Sequence, residues 1–190
     1  MGVEVRRRSR GARADLGPFV MEYCYDCGAA SPMVGEWPTC PEHGPRWKLR
    51  RNAPCAEVAL ERDGRVLMVR RARDPFAGYW EFPGGYVDLG ETPMMAAIRE
   101  AREELGVDVA LTAALGVFVV EWQPGECVQV HLFTARCNDE IDADPSEIAE
   151  TRWCAAGDAP DSSTMSPGTV ERFGAWATGQ RAPLVPGQGA

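Results

Sequence analysis

The stretch GGYVDLGETPMMAAIREAREELG, residues 84–106, decides how this chain is read. Thr92 suits a helix cap, Pro93 is tolerated in a first turn, and Gly106 stops the helix between them. Glu100, Glu103 and Glu104 then crowd the last turns. Residues three and four apart share a helix face, so these carboxylates repel one another, and the C-terminal end of a helix favours cations. Folding alone does not select this arrangement. A positive partner from outside the sequence is implied. Glu91, in the preceding loop, can fold back onto the same face, and Arg99 can orient a glutamate through charge-assisted hydrogen bonds. Met95, Ala101 and Leu105 are expected to face inward, with Ile98 at the edge of that stripe.

Clustered hard oxygens suit Mg²⁺, which usually keeps several waters and binds substrate phosphates as well. Two such ions flanking a phosphorus stabilise the attacking and leaving oxygens, and one carboxylate can act as a base toward water. Gly84 and Gly85 let the backbone approach closely, so a carbonyl there can be a further ligand. The bland alternative is a solvated acidic helix face, and spacing separates the two. Gly85, five residues, Glu91, seven residues, then Arg99-Glu100-Ala101-Arg102-Glu103-Glu104-Leu105-Gly106-Val107 reproduces GX5EX7REUXEEXGU, where U is aliphatic. At roughly 7% per residue type, such a match arises at one site by chance about once in 10⁸.

That pattern is the Nudix box, and the chain resembles the Nudix hydrolase family over about residues 53–178. Ala101 departs mildly, being smaller than the aliphatic residue usual there. The resemblance implies an α/β (α+β) fold, an α/β/α sandwich with a mixed sheet. It implies hydrolysis of a nucleoside diphosphate linked to another moiety, with Mg²⁺ or Mn²⁺. Glu103 and Glu104 match the main metal ligands, and Glu100 matches a glutamate that is a ligand or lies close to the base. The Gly84 carbonyl matches a backbone ligand, and Arg99 and Glu91 match orienting residues. A further glutamate from a later loop often binds metal or acts as base. Glu147 is the candidate, with Glu150 and Glu140 behind it.

Working outward, CAEVALE alternates as a strand, RDGR is a turn centred on Asp63-Gly64, and VLMVRR is the return strand. YWEFP is a short extended piece inside a loop. GVFVVEW, a Pro124-Gly125 turn and VQVHLFTARC read as a second hairpin, and an acidic loop leads to a short strand around Trp153. A last helix is expected after Ser166-Pro167, burying Val170, Phe173 and Trp176 or Ala177. Residues 179–190 read as a flexible tail rich in Pro and Gly.

Before this domain, residues 21–50 are rich in Cys, Pro, Gly and Trp and too poor in aliphatics to build a core. Cys24, Cys27, Cys40 and His43 form C-x2-C-x12-C-x2-H, a spacing that fits a tetrahedral structural Zn²⁺ site. Cys55 is an alternative fourth ligand. A zinc ribbon before a Nudix domain resembles NADH pyrophosphatase-type members. The array that marks their substrate is missing after the box, so only the architecture is carried over. Residues 1–20, with Arg6, Arg7, Arg8, Arg10 and Arg13, read as a basic disordered tail or a weak anion-binding arm.

The chain has 190 residues, 45% hydrophobic, with a formal net charge of −8. That composition fits one globular domain with an appendage and makes a nucleic-acid partner unlikely. No apolar run reaches membrane-span length and no secretory apolar core follows Met1, so a cytoplasmic protein is expected. Arg70, Arg71 and Arg73 are candidates for phosphate or ribose contacts. Trp80, Phe82, Phe118 and Trp122 either stack on a base or fill the core. Pro124 resembles a marker of the ADP-ribose subgroup. The expected substrate is a small nucleoside diphosphate derivative, with ADP-ribose or a dinucleotide favoured. A nucleoside triphosphate pyrophosphatase and a non-catalytic nucleotide sensor are the alternatives, and the resemblance allows a homodimer.

Overall fold

The structure is a computed structural model and describes residues 23–24, 26–34, 37–45, 52–123, 126–179 and 181–184. The arginine-rich stretch and the Pro124-Gly125 turn lie outside the described residues. The chain divides into two compact units, Met1–Arg51 and Asn52–Ala190.

The first unit holds a small antiparallel sheet of β1 (Met33–Val34), β2 (Trp37–Cys40) and β3 (Gly44–Pro45) in that order. Gly28 and Gly44, just after Cys24-x2-Cys27 and Cys40-x2-His43, have φ of +68° and +73°. Those left-handed conformations let the chain turn tightly around the pairs.

The second unit is built on β4 (Ala53–Arg62) and β5 (Arg65–Arg71), joined at Asp63-Gly64. Both turn residues have positive φ, 51° and 72°, as a tight hairpin turn requires. β6 (Trp80–Glu81) pairs with β5, and β7 (Gly84–Tyr86) pairs with β4. α1 (Pro93–Leu105) follows, then β8 (Ala110–Gln123), β9 (Glu126–Arg136), β10 (Ile148–Cys154), a 3₁₀ turn (Ser162–Thr164) and α2 (Thr169–Ala177). The sheet order is β10-β5-β4-β9-β8. Only β4 and β9 pair in parallel among its strands.

β4 is buried on both faces, because successive side chains point to opposite sides. Val58 and Leu60 join Ala96, Ala97, Ala101 and Leu105 of α1, whereas Ala59 joins Phe82, Phe173 and Trp176 on the α2 side. One helix thus covers each face, giving the expected sandwich with its mixed sheet. Three fully buried alanines bring α1 close to the sheet. Met95, expected inward, is mostly exposed, since it lies about 200° around the helix from Ala97. Val170 is likewise exposed, and α2 buries Thr169, Arg172, Phe173 and Trp176. Residues 181–184, expected in a flexible tail, are attached to this unit. Ala182 exchanges both backbone hydrogen bonds with Ala114, Arg181 pairs with Glu61, and Leu184 packs on the core. Among the described residues no helix is long and apolar enough to cross a membrane.

Candidate active site

α1 begins where the sequence predicts: Thr92 Oγ1 accepts from the Met95 N–H, and Gly106 ends the helix with φ +67°. That phase turns Glu100, Glu103 and Glu104 toward β7 and the loop after it. Arg99 is the hub. Its Nε and Nη2 grip the two Glu91 oxygens at 3.0 Å each, and Nη1 donates to Glu100 Oε1 (2.8 Å) and Glu103 Oε2 (2.9 Å). Nη2 also donates to the Tyr86 carbonyl at 2.9 Å, fixing the loop to the helix. These partners raise the Arg99 pKa still further, Glu91 foremost, and Arg99 in turn holds the Glu91 carboxyl below its usual range. One guanidinium therefore organises three of the four box carboxylates.

The fourth points elsewhere. Glu104 is only 8% exposed, and its Oε2 accepts the Gly84 N–H at 2.8 Å. Burial pushes its carboxyl up to about 8, against the help of that N–H, and the charges of Glu100, Glu81 and Glu147 add to the rise. Glu100 is also raised, mainly by burial. Among the described residues no donor reaches its other oxygen, and a buried carboxylate with an oxygen so left suits a hard cation. The contact at Gly84 runs through its N–H.

The two glycines matter for different reasons. A Cβ on Gly84 would lie 2.2 Å from the Ala56 carbonyl oxygen, at φ +152°. Only glycine lets β7 lie against β4 there. A Cβ on Gly85 would lie 2.4 Å from Glu100 Oε1, so the carboxylate is packed onto the glycine itself.

Glu147 stands near this group, since its charge raises both Glu100 and Glu104. Its backbone carbonyl is anchored by Ala72 N–H, and its Oε1 pairs with Arg73 at 2.6 Å.

Beside Gly84 and Gly85 opens a cavity of about 320 Å³, walled by Val120, Trp122, Val128, Val130, Phe76 and Tyr86. Of Arg70, Arg71, Trp80 and Phe82 only Arg71 lines it, held by Glu81 (2.6 Å) and the Pro75 carbonyl (2.7 Å). Arg70 is occupied elsewhere, on the Gly78 carbonyl (2.9 Å) and Glu150 (3.3 Å). Trp80 and Phe82 are core residues, Phe82 stacking on Phe173, so neither stacks on a base here. Strand alternation explains the correction: Trp80 and Phe82 point toward α2, and the intervening Glu81 points to the cavity. Trp122, weighed beside them in the sequence, does line it.

Glu57 and Arg172 at the cavity are not identifiable from sequence. Arg172 Nε bonds Glu57 Oε2 at 2.7 Å, and its Nη2 and Nη1 reach Thr169 Oγ1 (3.0 Å) and the Pro167 carbonyl (3.3 Å). Burial pushes the Glu57 carboxyl up to about 7 despite Arg172. A Glu in a hydrophobic strand 115 residues from its partner carries no local signal. A larger depression of about 830 Å³ lies at the β4–β5 turn, bordered by Glu61, Arg136 and Arg181, and contains none of the box residues.

In the first unit, Cys24, Cys27, Cys40 and His43 bring all four ligand atoms within 4.8 Å of one another. Among the described residues this is the group so assembled. Cys27 Sγ and Cys40 Sγ are 3.7 Å apart, and His43 Nδ1 is 3.6 Å from both Cys24 Sγ and Cys40 Sγ. A tetrahedral zinc with ordinary bond lengths requires edges of about 3.8 Å and about 3.6 Å. His43 is the fourth member of this group, and Cys55 is buried in β4.

Among known proteins, a model of the NUDIX domain matches residues 49–173. An ADP-ribose pyrophosphatase of Methanocaldococcus jannaschii is 39% identical over 66 residues, 35% of this chain and 39% of the relative. An NAD-capped RNA hydrolase NudC of Escherichia coli is 30% identical over 152 residues, 80% of this chain and 57% of the relative. The chain thus spans well under two thirds of these curated relatives. The crystal structure of a MutT NUDIX hydrolase from Burkholderia pseudomallei superposes with a TM-score of 0.59 at 29% identity, over 65% of this chain and 97% of that one.

Proposed function

We propose, from the premise that this chain belongs to the NUDIX domain family, that it is a metal-dependent pyrophosphohydrolase. Its substrate is a nucleoside diphosphate linked to another moiety, ADP-ribose or a dinucleotide being favoured. Water adds to one phosphorus and the P–O bond of the anhydride breaks, giving a nucleoside monophosphate and a phosphorylated partner.

The observation that carries this reading is the carboxylate set around Arg99 and Gly84, with Gly84 and Gly85 also lining a cavity. Glu103, Glu104 and Glu100, with the Gly84 carbonyl, would hold Mg²⁺ or Mn²⁺, which when bound neutralises charge on the phosphates. Arg99 and Glu91 position those ligands. Glu147, fixed by Arg73 and close enough to perturb Glu100 and Glu104, is the proposed base toward water. Both named relatives, one acting on ADP-ribose and one on NAD-capped RNA, fit a substrate of the dinucleotide type.

The cysteine–histidine group is assigned a structural Zn²⁺: all four positions are filled by protein, leaving none open for catalysis. Unpaired cysteines throughout the described residues accord with a cytoplasmic, reducing setting. A homodimer, which the resemblance allows, is decided by light scattering on the purified chain.

The test is mass-spectrometric product analysis with Mg²⁺ on ADP-ribose, NADH, FAD, nucleotide sugars, dinucleoside polyphosphates and nucleoside triphosphates, wild type beside Glu104→Gln. Cleavage of one class by wild type alone supports the reading. Equal cleavage by both proteins, or none by either, sinks it.

A further inference from the structure

We propose that Glu57 is a specificity-determining residue whose carboxylate reads the substrate's nucleobase by accepting a hydrogen bond from an amino group on it. This rests on the hydrolase reading only in taking the ligand to be a nucleotide.

Glu57 sits on β4 directly opposite Gly84, and it lines the cavity together with Gly84 and Gly85. It is 8% exposed, and Arg172 is 2% exposed. Arg172 is committed on all three nitrogens, to Glu57 Oε2, Thr169 and Pro167, and Thr169 is braced in turn by Ser166 at 2.8 Å. That bracing fixes the carboxylate but uses one of its oxygens. No donor among the described residues reaches Oε1. A buried carboxylate oxygen left without a donor is costly, and native structures rarely keep one without a reason.

The surroundings narrow the ligand. Val120, Trp122, Val130 and Phe76 offer apolar and aromatic walls suited to a planar ring. The volume, about 320 Å³, is at the small end for ligand sites and holds a base with part of its sugar. Glu81 also faces the cavity, and the Arg71 guanidinium is engaged by Glu81 and Pro75. The phosphates belong with the metal that the helix carboxylates would hold, which leaves the base for the Glu57 side.

A clamp that only ties α2 to β4 would need the Oε2 contact alone and would be indifferent to the ligand's amino group. Calorimetric titration of the full chain with paired nucleoside monophosphates separates the two roles. The pairs are AMP with purine riboside monophosphate, GMP with IMP, and CMP with UMP. We expect one amino-bearing member to bind about 10- to 100-fold more tightly than its counterpart. Glu57→Gln can keep its oxygen on Arg172 while turning an amide donor into the cavity, so the preference should drop below about 3-fold. Should that variant fail to fold, the wild-type pairs alone decide. Equal binding within every pair, or no binding of any, overturns the assignment. Turnover of a substrate without amino preference overturns it while the hydrolase reading stands. Amino preference in binding without turnover does the reverse.

Discussion

Replacing Gly85 by alanine should disable the site without unfolding the domain. Gly85 has no left-handed φ to protect, so the change is purely steric. The new Cβ would sit 2.4 Å from Glu100 Oε1 and 2.7 Å from its Cδ. Ordinary contact is about 3.4 Å, so the carboxylate must retreat by roughly 1 Å. It then loses the alignment of its 2.8 Å bond from Arg99. The obstacle is the end of a flexible side chain, so the stability loss should stay within about 1–2 kcal/mol. A misplacement of about 1 Å in a catalytic constellation costs on the order of 100-fold in rate. Gly84→Ala is the contrast: its Cβ would meet the Ala56 carbonyl at 2.2 Å and Glu57 Cα at 2.7 Å, backbone atoms that cannot swing aside. That variant should lose the β4–β7 pairing and melt at a clearly lower temperature. The assays are kcat and KM on the cleaved substrate, Mn²⁺ affinity by electron paramagnetic resonance, and thermal melting. Full activity and unchanged Mn²⁺ binding in Gly85→Ala would refute the claim that Glu100 is held against this glycine for catalysis.

Elemental analysis of the purified chain should give about one zinc, and Cys40→Ser should abolish it. Without added Mg²⁺, the domain should be more stable near pH 5.5 than near pH 8.5, with Tm higher by on the order of 5 °C. Glu57 and Glu104 have native pKa values raised to about 7 and about 8. Their contribution is fully present below the unfolded value near 4.5 and is lost as pH rises through those two values. Glu91, Asp144 and Asp161, all lowered, work oppositely, and their contribution disappears only in stronger acid. A Tm that climbs steadily from pH 5.5 to 8.5 would contradict this. Phe82→Ala should cost about 3–5 kcal/mol in denaturant melts as a core cavity, whereas Trp122→Ala should raise KM with little change in stability. The reverse pattern would restore Phe82 to the substrate wall.

Much of this was legible in the chain because the signals are local. Thr92, Pro93 and Gly106 bound a helix by cap chemistry that acts within one turn, so the phase of its glutamates followed. Asp63-Gly64 fixed a hairpin because few residues accept positive φ. The cysteine knuckles announced themselves by spacing. The residues that escaped reading depend on long-range pairing. Glu57 and Arg172 meet only because β4 and α2 share one face of the sheet, and neither has a neighbour that hints at it. For YWEFP the strand itself was visible. Which face of it held the core was not, because a two-residue strand supports no alternation count. Sequence therefore leaves Trp80 and Phe82 open between base stacking and core, whereas Glu81 is the cavity residue.

The return of the chain to β8 bears on behaviour outside the active site. β8 is the outermost strand of its sheet and has fourteen residues, a long row of backbone groups open to another strand. Ala182 occupies part of that row at Ala114, and Leu184 lies on the core beside it. A version cut at the end of α2 would lose both and expose the strand to edge-to-edge association. Expression of the domain alone should therefore stop after residue 184, not at 178, if it is to stay free of aggregates.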